Sequence, residues 1–123
     1  MAFDDFFTAY LEAALWSSSD DNGTPLDEQY DETDIDPATL DQQRAECLDF
    51  YTANASLWAG QYGHPHYSDD ALAGQDFWLT RNGHGAGFWD RDLPDDIGDT
   101  LTDMAEPYGS VDLYVGDDGR VYA

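Results

Sequence analysis

Positive charge is what this sequence lacks most. It contains no lysine, and its four arginines (Arg44, Arg81, Arg91 and Arg120) stand against 27 acidic residues, of which 22 are Asp and five are Glu. The resulting net charge of −23 repels phosphate groups. It therefore argues against direct binding of DNA, RNA or an anionic membrane, and it points instead to a positively charged partner.

Cysteine and long apolar runs are scarce as well. The single cysteine, Cys47, cannot form an internal disulfide, and its place on the apolar side of a predicted helix indicates a buried small hydrophobe. Residues 1–17 carry three acids and no basic segment, which is not the pattern of a signal peptide, and no run reaches membrane-spanning length. We therefore predict a cytoplasmic protein.

Aromatic residues, by contrast, are abundant. They make up 15% of the chain, and apolar residues as a whole make up 41%. Side chains of this size can bury enough area for a sizeable core, so the sequence is not that of a disordered acidic tail. Its length suits one domain, residues 1–123.

Three segments have the apolar periodicity of amphipathic helices. The first covers residues 2–16. The second begins at Asp36-Pro37, an N-cap acceptor followed by proline at the first helical position, and is predicted to reach about Leu57. The third runs from Pro94 to about Pro107, and its predicted buried side consists of Ile97, Leu101, Met104 and Tyr108. Ser68 is predicted to cap only one or two helical turns.

Two hairpins complete the predicted fold. Asn82-Gly83 separates two runs of β-type residues, 76–81 and 84–90, and Asn-Gly is the preferred two-residue hairpin turn. Residues 111–115 and 120–122 form a second pair around a turn at 117–119. The predicted class is therefore α+β, with about three helices packed on an antiparallel sheet of about four strands.

The acidic residues are unevenly distributed. Residues 18–49 carry a net charge of −10 and residues 90–123 a net charge of −8, whereas residues 50–89 carry only −2. On the third predicted helix Asp95, Asp99 and Asp103 are spaced by four, so their carboxylates form a row about 6 Å apart. Like charges at this spacing destabilise a helix. The row resembles the spacing of phosphates along a nucleic acid strand, and we interpret it as a surface that occupies a basic groove on another protein.

The sequence thus gives a set of candidate binding residues and a candidate specificity tip. The acidic surface predicted to bind the partner consists of Asp20, Asp21, Asp27, Glu28, Asp31, Glu32, Asp34, Asp92, Asp95, Asp96, Asp99 and Asp103. Arg81 and His84 flank the predicted hairpin turn, where they would add specificity that charge alone does not provide.

Two alternatives remain open at this stage. His64, His66 and His84 would be the ligands or catalytic groups of a small metal-binding protein or enzyme. An Asp-rich surface without lysine is also typical of proteins from a high-salt cytoplasm. No residue pattern specifies a reaction, so we predict a protein that is not an enzyme and that uses neither a cofactor nor a designed metal site.

Three segments resemble a family of small acidic proteins encoded by bacteriophages and plasmids. They are DFWLTRNGHGAGFWDR (residues 76–91), VDLYVGDDG (residues 111–119) and LEAALW (residues 11–16). The resemblance supplies no catalytic residues. It implies an accessory protein of a mobile genetic element acting in a bacterial cytoplasm, where small acidic proteins often inhibit host DNA-binding machinery such as restriction and CRISPR complexes. A DNA-mimic inhibitor of a basic nucleic-acid-binding host protein is the hypothesis that follows.

Overall fold

Helices dominate the computed structural model, which describes residues 2–83, 86–90 and 93–123. Its regular elements are α1 (Ala2–Ser17), α2 (Pro37–Trp58), α3 (Asp69–Asn82), α4 (Asp95–Ala105), β1 (Tyr114–Val115) and β2 (Val121–Tyr122). Short 3-10 turns cover Leu26–Glu28, Glu32–Asp34, Phe88–Asp90 and Glu106–Tyr108. The structure is 63% helical with a two-stranded sheet. The predicted α+β class with four strands is therefore wrong, and the class is mainly α.

The three helices predicted from periodicity are confirmed. α2 begins where the capping signal placed it, because the Asp36 carboxylate accepts a hydrogen bond from the Thr39 backbone N–H at 3.2 Å. α4 follows Pro94 and continues into a 3-10 turn that ends at Gly109, whose φ of 71° suits only glycine. One predicted core residue of α4 is misplaced, since the side chain of Met104 is 44% exposed.

The predicted first hairpin is wrong, because its first strand belongs to α3. The Ser68 hydroxyl accepts a hydrogen bond from the Ala71 N–H at 3.1 Å and starts the helix as predicted, but the helix continues to Asn82. Gly83 then adopts the left-handed conformation, with φ of 64°, and its N–H points to the carbonyls of Leu79 and Thr80. A left-handed glycine ends a helix as readily as it turns a hairpin, so Asn-Gly did not decide between them. Of the second predicted strand, residues 84–90, the first two residues lie outside the described residues, and Phe88–Asp90 form a 3-10 turn and not a strand.

α3 escaped detection because it is buried on almost every side. It packs most extensively against α1 and also contacts α2 and α4. A helix without a polar face shows no 3.6-residue periodicity, so its run of aromatic residues resembled a strand. Gly74 permits the close approach of α1, since a Cβ at this position would lie 2.0 Å from the Phe6 carbonyl oxygen.

The second predicted hairpin is confirmed, although its strands are short. Tyr114 pairs with Tyr122 and Val115 with Val121 in antiparallel register. Val121 is fully buried, and its carbonyl accepts a hydrogen bond from the Asp36 N–H at 2.9 Å. The hairpin is thereby joined to the start of α2.

Aromatic rings from three helices form the centre of the core. Phe50 of α2 stacks on Phe77 of α3 with ring centroids 4.1 Å apart, and Phe6 of α1 contacts both. Cys47 is buried beside them, as predicted. Among the described residues, no helix combines the length and the apolar character needed to cross a membrane.

Candidate functional site

The carboxylate row on α4 lies where the sequence placed it. Asp95, Asp99 and Asp103 are exposed, and Asp96 beside them is exposed as well. Gly98, Leu101 and Ala105 form the buried side of the helix. The row is therefore a continuous acidic surface, because α4 contains no basic residue to interrupt it.

Some of the predicted acids between α1 and α2 stabilise local turns. The Asp20 carboxylate accepts hydrogen bonds from the backbone N–H groups of Asn22 and Thr24 at 2.9 and 3.0 Å. Asp31 and Asp34 form a reciprocal cap on the 3-10 turn Glu32–Asp34. The pKa of Asp31 is lowered by the Thr33 hydroxyl and then by the Thr33 backbone N–H. These carboxylates thus stabilise local turns in addition to contributing negative charge to the surface.

The other predicted acids of this region are exposed at the surface. They are Asp21, Asp27, Glu28 and Glu32. Asp92, the remaining member of the predicted surface, lies outside the described residues.

Arg81 is not an exposed specificity tip, and that prediction is wrong. Its side chain is only 1% exposed, because it projects from α3 into the space between the helices. His84, its predicted neighbour at the tip, lies outside the described residues.

Arg81 instead joins four parts of the fold. Its guanidinium donates to Glu46 of α2 at 2.7 Å, to the Tyr10 hydroxyl of α1 at 3.0 Å, and to the carbonyls of Tyr108 and Gly109 at 2.9 Å each. It also lies over the rings of Phe77 and Tyr108, 5.3 and 5.8 Å from their centroids. Such a set of partners satisfies a buried charge on all sides.

Two other groups beside Arg81 are held in their neutral forms. Burial is the largest cause of the raised pKa values of the Cys47 thiol and the Tyr10 phenol. The thiolate is the nucleophilic form of cysteine, so burial keeps Cys47 unreactive.

The histidines within the described residues form a small surface cluster. The His66 N–H donates to His64 Nδ1 at 3.0 Å, and the ring of Tyr67 lies 5.1 Å from that of His64. In the part of the chain that the structure describes, no group of three His, Cys, Asp or Glu residues is arranged to hold a metal ion.

The structure also contains a groove that sequence reasoning missed. Three segments line it: the outward face of α1, residues 27–32 between α1 and α2, and residues 66–75 at the start of α3. Its volume is about 1030 Å³. Six carboxylates line it, namely Asp4, Asp5, Glu12, Asp27, Asp31 and Glu32. We call it the α1 groove.

Aromatic side chains share the α1 groove with these carboxylates. Trp16 and Tyr67 are 59% and 61% exposed, and Tyr30 lines the groove as well. None of the described lining residues is Lys or Arg. Acids and aromatic faces together attract cations, because both present negative potential.

One sequence signal for the α1 groove did exist. Asp4, Thr8, Glu12 and Trp16 are spaced by four, which places a tryptophan on the polar face of an amphipathic helix. The other two lining segments are distant in sequence, and no local pattern connects them to α1.

No protein-family model, curated protein or solved structure matches the chain. The resemblance to phage and plasmid proteins therefore stays a prediction.

Proposed function

We propose that this protein is an acidic inhibitor that occupies a basic nucleic-acid-binding site on a host protein in the bacterial cytoplasm. Its target class would be defence machinery such as CRISPR or restriction complexes. The observation that supports this most directly is the row of exposed carboxylates on α4, a helix without one basic residue.

The row is unfavourable for the isolated protein. Like charges four residues apart destabilise a helix, and a net charge of −23 opposes compaction of the whole chain. A basic groove relieves both costs, because it neutralises the row and releases the counterions that each surface had condensed. The protein would act by stoichiometric binding, without catalysis and without a cofactor.

The test is capture from a bacterial lysate, followed by inhibition of the captured target. The native protein is immobilised and retained complexes are eluted in a salt gradient. A complex is then tested for nucleic-acid binding while the free protein is titrated into it. We expect one basic complex, elution by moderate salt because exposed charges are screened, and loss of nucleic-acid binding at a fixed molar ratio.

Two charge-reversed variants of equal net charge make the test specific. Asp95→Lys/Asp99→Lys/Asp103→Lys reverses the α4 row, and the control reverses three exposed acids elsewhere, Asp41, Asp112 and Asp117. We expect the α4 variant to lose inhibition and the control to retain most of it. Equal inhibition by both variants would contradict a role for the row.

The salt dependence of folding distinguishes the proposed inhibitor from a salt-adapted domain. An inhibitor of a bacterial host protein should keep its fold at low ionic strength. Circular dichroism across a salt series measures this. Unfolding at low salt would instead identify a halophilic domain whose acids serve solvation.

A further inference from the structure

We infer that the α1 groove is a docking site for a basic polypeptide segment, one that carries several Arg or Lys side chains. The inference deepens the proposed function, on which it rests for the class of partner. It names a second binding surface, distinct from the α4 row, and the kind of chain that would lie in it.

Charge complementarity is the first argument. Six carboxylates from three separate segments line the α1 groove, and none of its described lining residues is Lys or Arg. Bringing like charges together raises the free energy of the empty groove, so a cationic ligand gains more there than at a single exposed carboxylate.

The exposed aromatic rings are the second argument. Large aromatic side chains are usually mostly buried, yet Trp16 and Tyr67 are more than half exposed where they line the groove. Two of the protein's own arginines lie over aromatic rings in cation–π contacts. Arg44 lies 5.1 Å from the ring centroid of Phe3, and Arg81 lies 5.3 Å from that of Phe77. The groove offers the same chemistry, and its described lining residues include one histidine, His66, but neither Lys nor Arg.

The size of the α1 groove indicates a polypeptide segment rather than a single small cation. Asp4 and Trp16 are twelve residues apart on α1 and both line it, which corresponds to about 18 Å along the helix axis. An extended chain covers that length with about five residues. The volume of about 1030 Å³ is at the upper end of small-molecule pockets, which span about 300–1,000 Å³.

The experiment measures binding of an octa-arginine peptide by titration calorimetry at about 0.1 M salt, where exposed charges are screened beyond about 10 Å. The groove variant is Glu12→Gln/Asp27→Asn/Glu32→Gln. The matched control is Asp41→Asn/Asp112→Asn/Asp117→Asn, which changes three exposed acids that do not line the groove. Both variants have the same net charge, so a difference between them reports local contacts and not the overall field.

We expect the groove variant to bind the peptide about tenfold more weakly than the native protein, and the control about twofold more weakly, because one exposed ion pair contributes about 0.2–1 kcal/mol. Trp16→Ala should weaken binding about threefold, since a cation–π contact at an exposed site is modest. Equal affinities for the two charge variants would overturn the inference.

Nuclear magnetic resonance on the native protein provides a readout that needs no variant. Titration of the same peptide should shift the indole N–H of Trp16 and leave that of Trp89 unchanged, although Trp89 is also 44% exposed. Equal shifts of the two indole signals would indicate unspecific attraction to the acidic surface and would contradict docking in the α1 groove. These measurements involve no host protein, so the two proposals can be told apart. Peptide binding can contradict docking in the α1 groove while lysate capture still supports the inhibitor. Lysate capture can likewise contradict the inhibitor while the peptide still binds in the groove.

Discussion

The buried surroundings of Arg81 and the α1 groove combine the same two ingredients, carboxylates and aromatic rings. Around Arg81 they enclose a cation, with Glu46 at 2.7 Å and the rings of Phe77 and Tyr108 within 6 Å of the guanidinium carbon. In the α1 groove they surround open space, with Trp16 and Tyr67 exposed. The same chemistry thus binds a cation inside the protein and is exposed to solvent in the groove.

The two regions also differ in what holds them together. The Arg81 region is supported from α1, α2, α3 and the turn after α4, so any change in one element affects the others. The groove carboxylates are exposed to solvent, and their mutual repulsion opposes folding, although Asp31 also caps the 3-10 turn Glu32–Asp34. We therefore expect substitutions at Arg81 to lower the free energy of unfolding strongly, and substitutions of Glu12, Asp27 and Glu32 in the groove to change it little.

The largest expected effect is that of Arg81→Met. Methionine fills much of the volume but donates no hydrogen bond, so the carbonyls of Tyr108 and Gly109 and the charge of Glu46 lose their partner. Breaking a buried pair in this way costs about 3–5 kcal/mol. Unfolding in urea, followed by circular dichroism, measures the loss of free energy of unfolding.

Arg44→Met is the matched control for this substitution. Arg44 is exposed and lies over Phe3 and Phe7, and within residues 2–83, 86–90 and 93–123 no ion pair joins it to a carboxylate. Its replacement removes the same charge but should cost only about 0.5–1 kcal/mol. Similar losses for both arginines would mean that net charge, and not the buried contacts, determines the effect.

The sequence predicted those parts of the fold whose signals are local. The Asp36 cap and the proline after it fixed the start of α2, and the apolar stripe of α1 gave its extent within one residue. α3 was missed for the opposite reason, because its surroundings and not its own pattern determine its conformation. Residues such as Phe77 and Trp78 suit a strand by propensity, and burial among three helices overrides that preference.

The candidate sites also differ in whether they depend on local spacing or on residues that are distant in sequence. The α4 row follows from helical spacing alone, so the sequence located it correctly. Arg81 appeared to be a hairpin tip because its role depends on Glu46 and Tyr10, which are 35 and 71 residues away. The α1 groove depends on three separate segments, and only the placement of Trp16 on a polar face pointed to it.

Gly74→Ala tests how closely α1 and α3 pack in the interior of the protein, for comparison with the open α1 groove. A Cβ at Gly74 would meet the backbone of Phe6 at 2.0 Å, so α1 and α3 must separate. Overpacking of this kind costs about 1–3 kcal/mol, more than the roughly 1 kcal/mol that alanine gains in helix propensity. We expect a net loss of up to about 2 kcal/mol in the free energy of unfolding, measured by thermal unfolding.

Ala71→Leu serves as its counterpart on the same helix. Ala71 lines the groove, where a larger side chain finds space, so the stability change should stay within about 0.5 kcal/mol. If Ala71→Leu destabilised the protein as much as Gly74→Ala, the groove would be as tightly packed as the interior and would not accept a ligand.

The smallest expected effect concerns Tyr108, whose ring and carbonyl both contact Arg81. Burial, and after it the hydrogen bond to the Asp49 carboxylate, raises the pKa of Tyr108 from 10.0 to about 12. Between these values the folded protein keeps a proton that the unfolded chain releases. The contribution to stability is therefore complete below pH 10 and is lost as the pH rises to about 12.

Tyr108→Phe keeps the ring over Arg81 and removes the titrating hydroxyl. The free energy of unfolding should consequently fall less steeply for this variant than for the native protein as the pH rises through that window. Asp49→Asn should make the decline smaller and end it at lower pH, because the pKa of Tyr108 in the folded protein loses the influence of the carboxylate while the unfolded value stays the same. Urea unfolding in a pH series measures both slopes. Parallel curves for the native protein and Tyr108→Phe would show that this phenol titrates alike in the folded and unfolded chains, so that the Arg81 region is more open to water than its contacts imply.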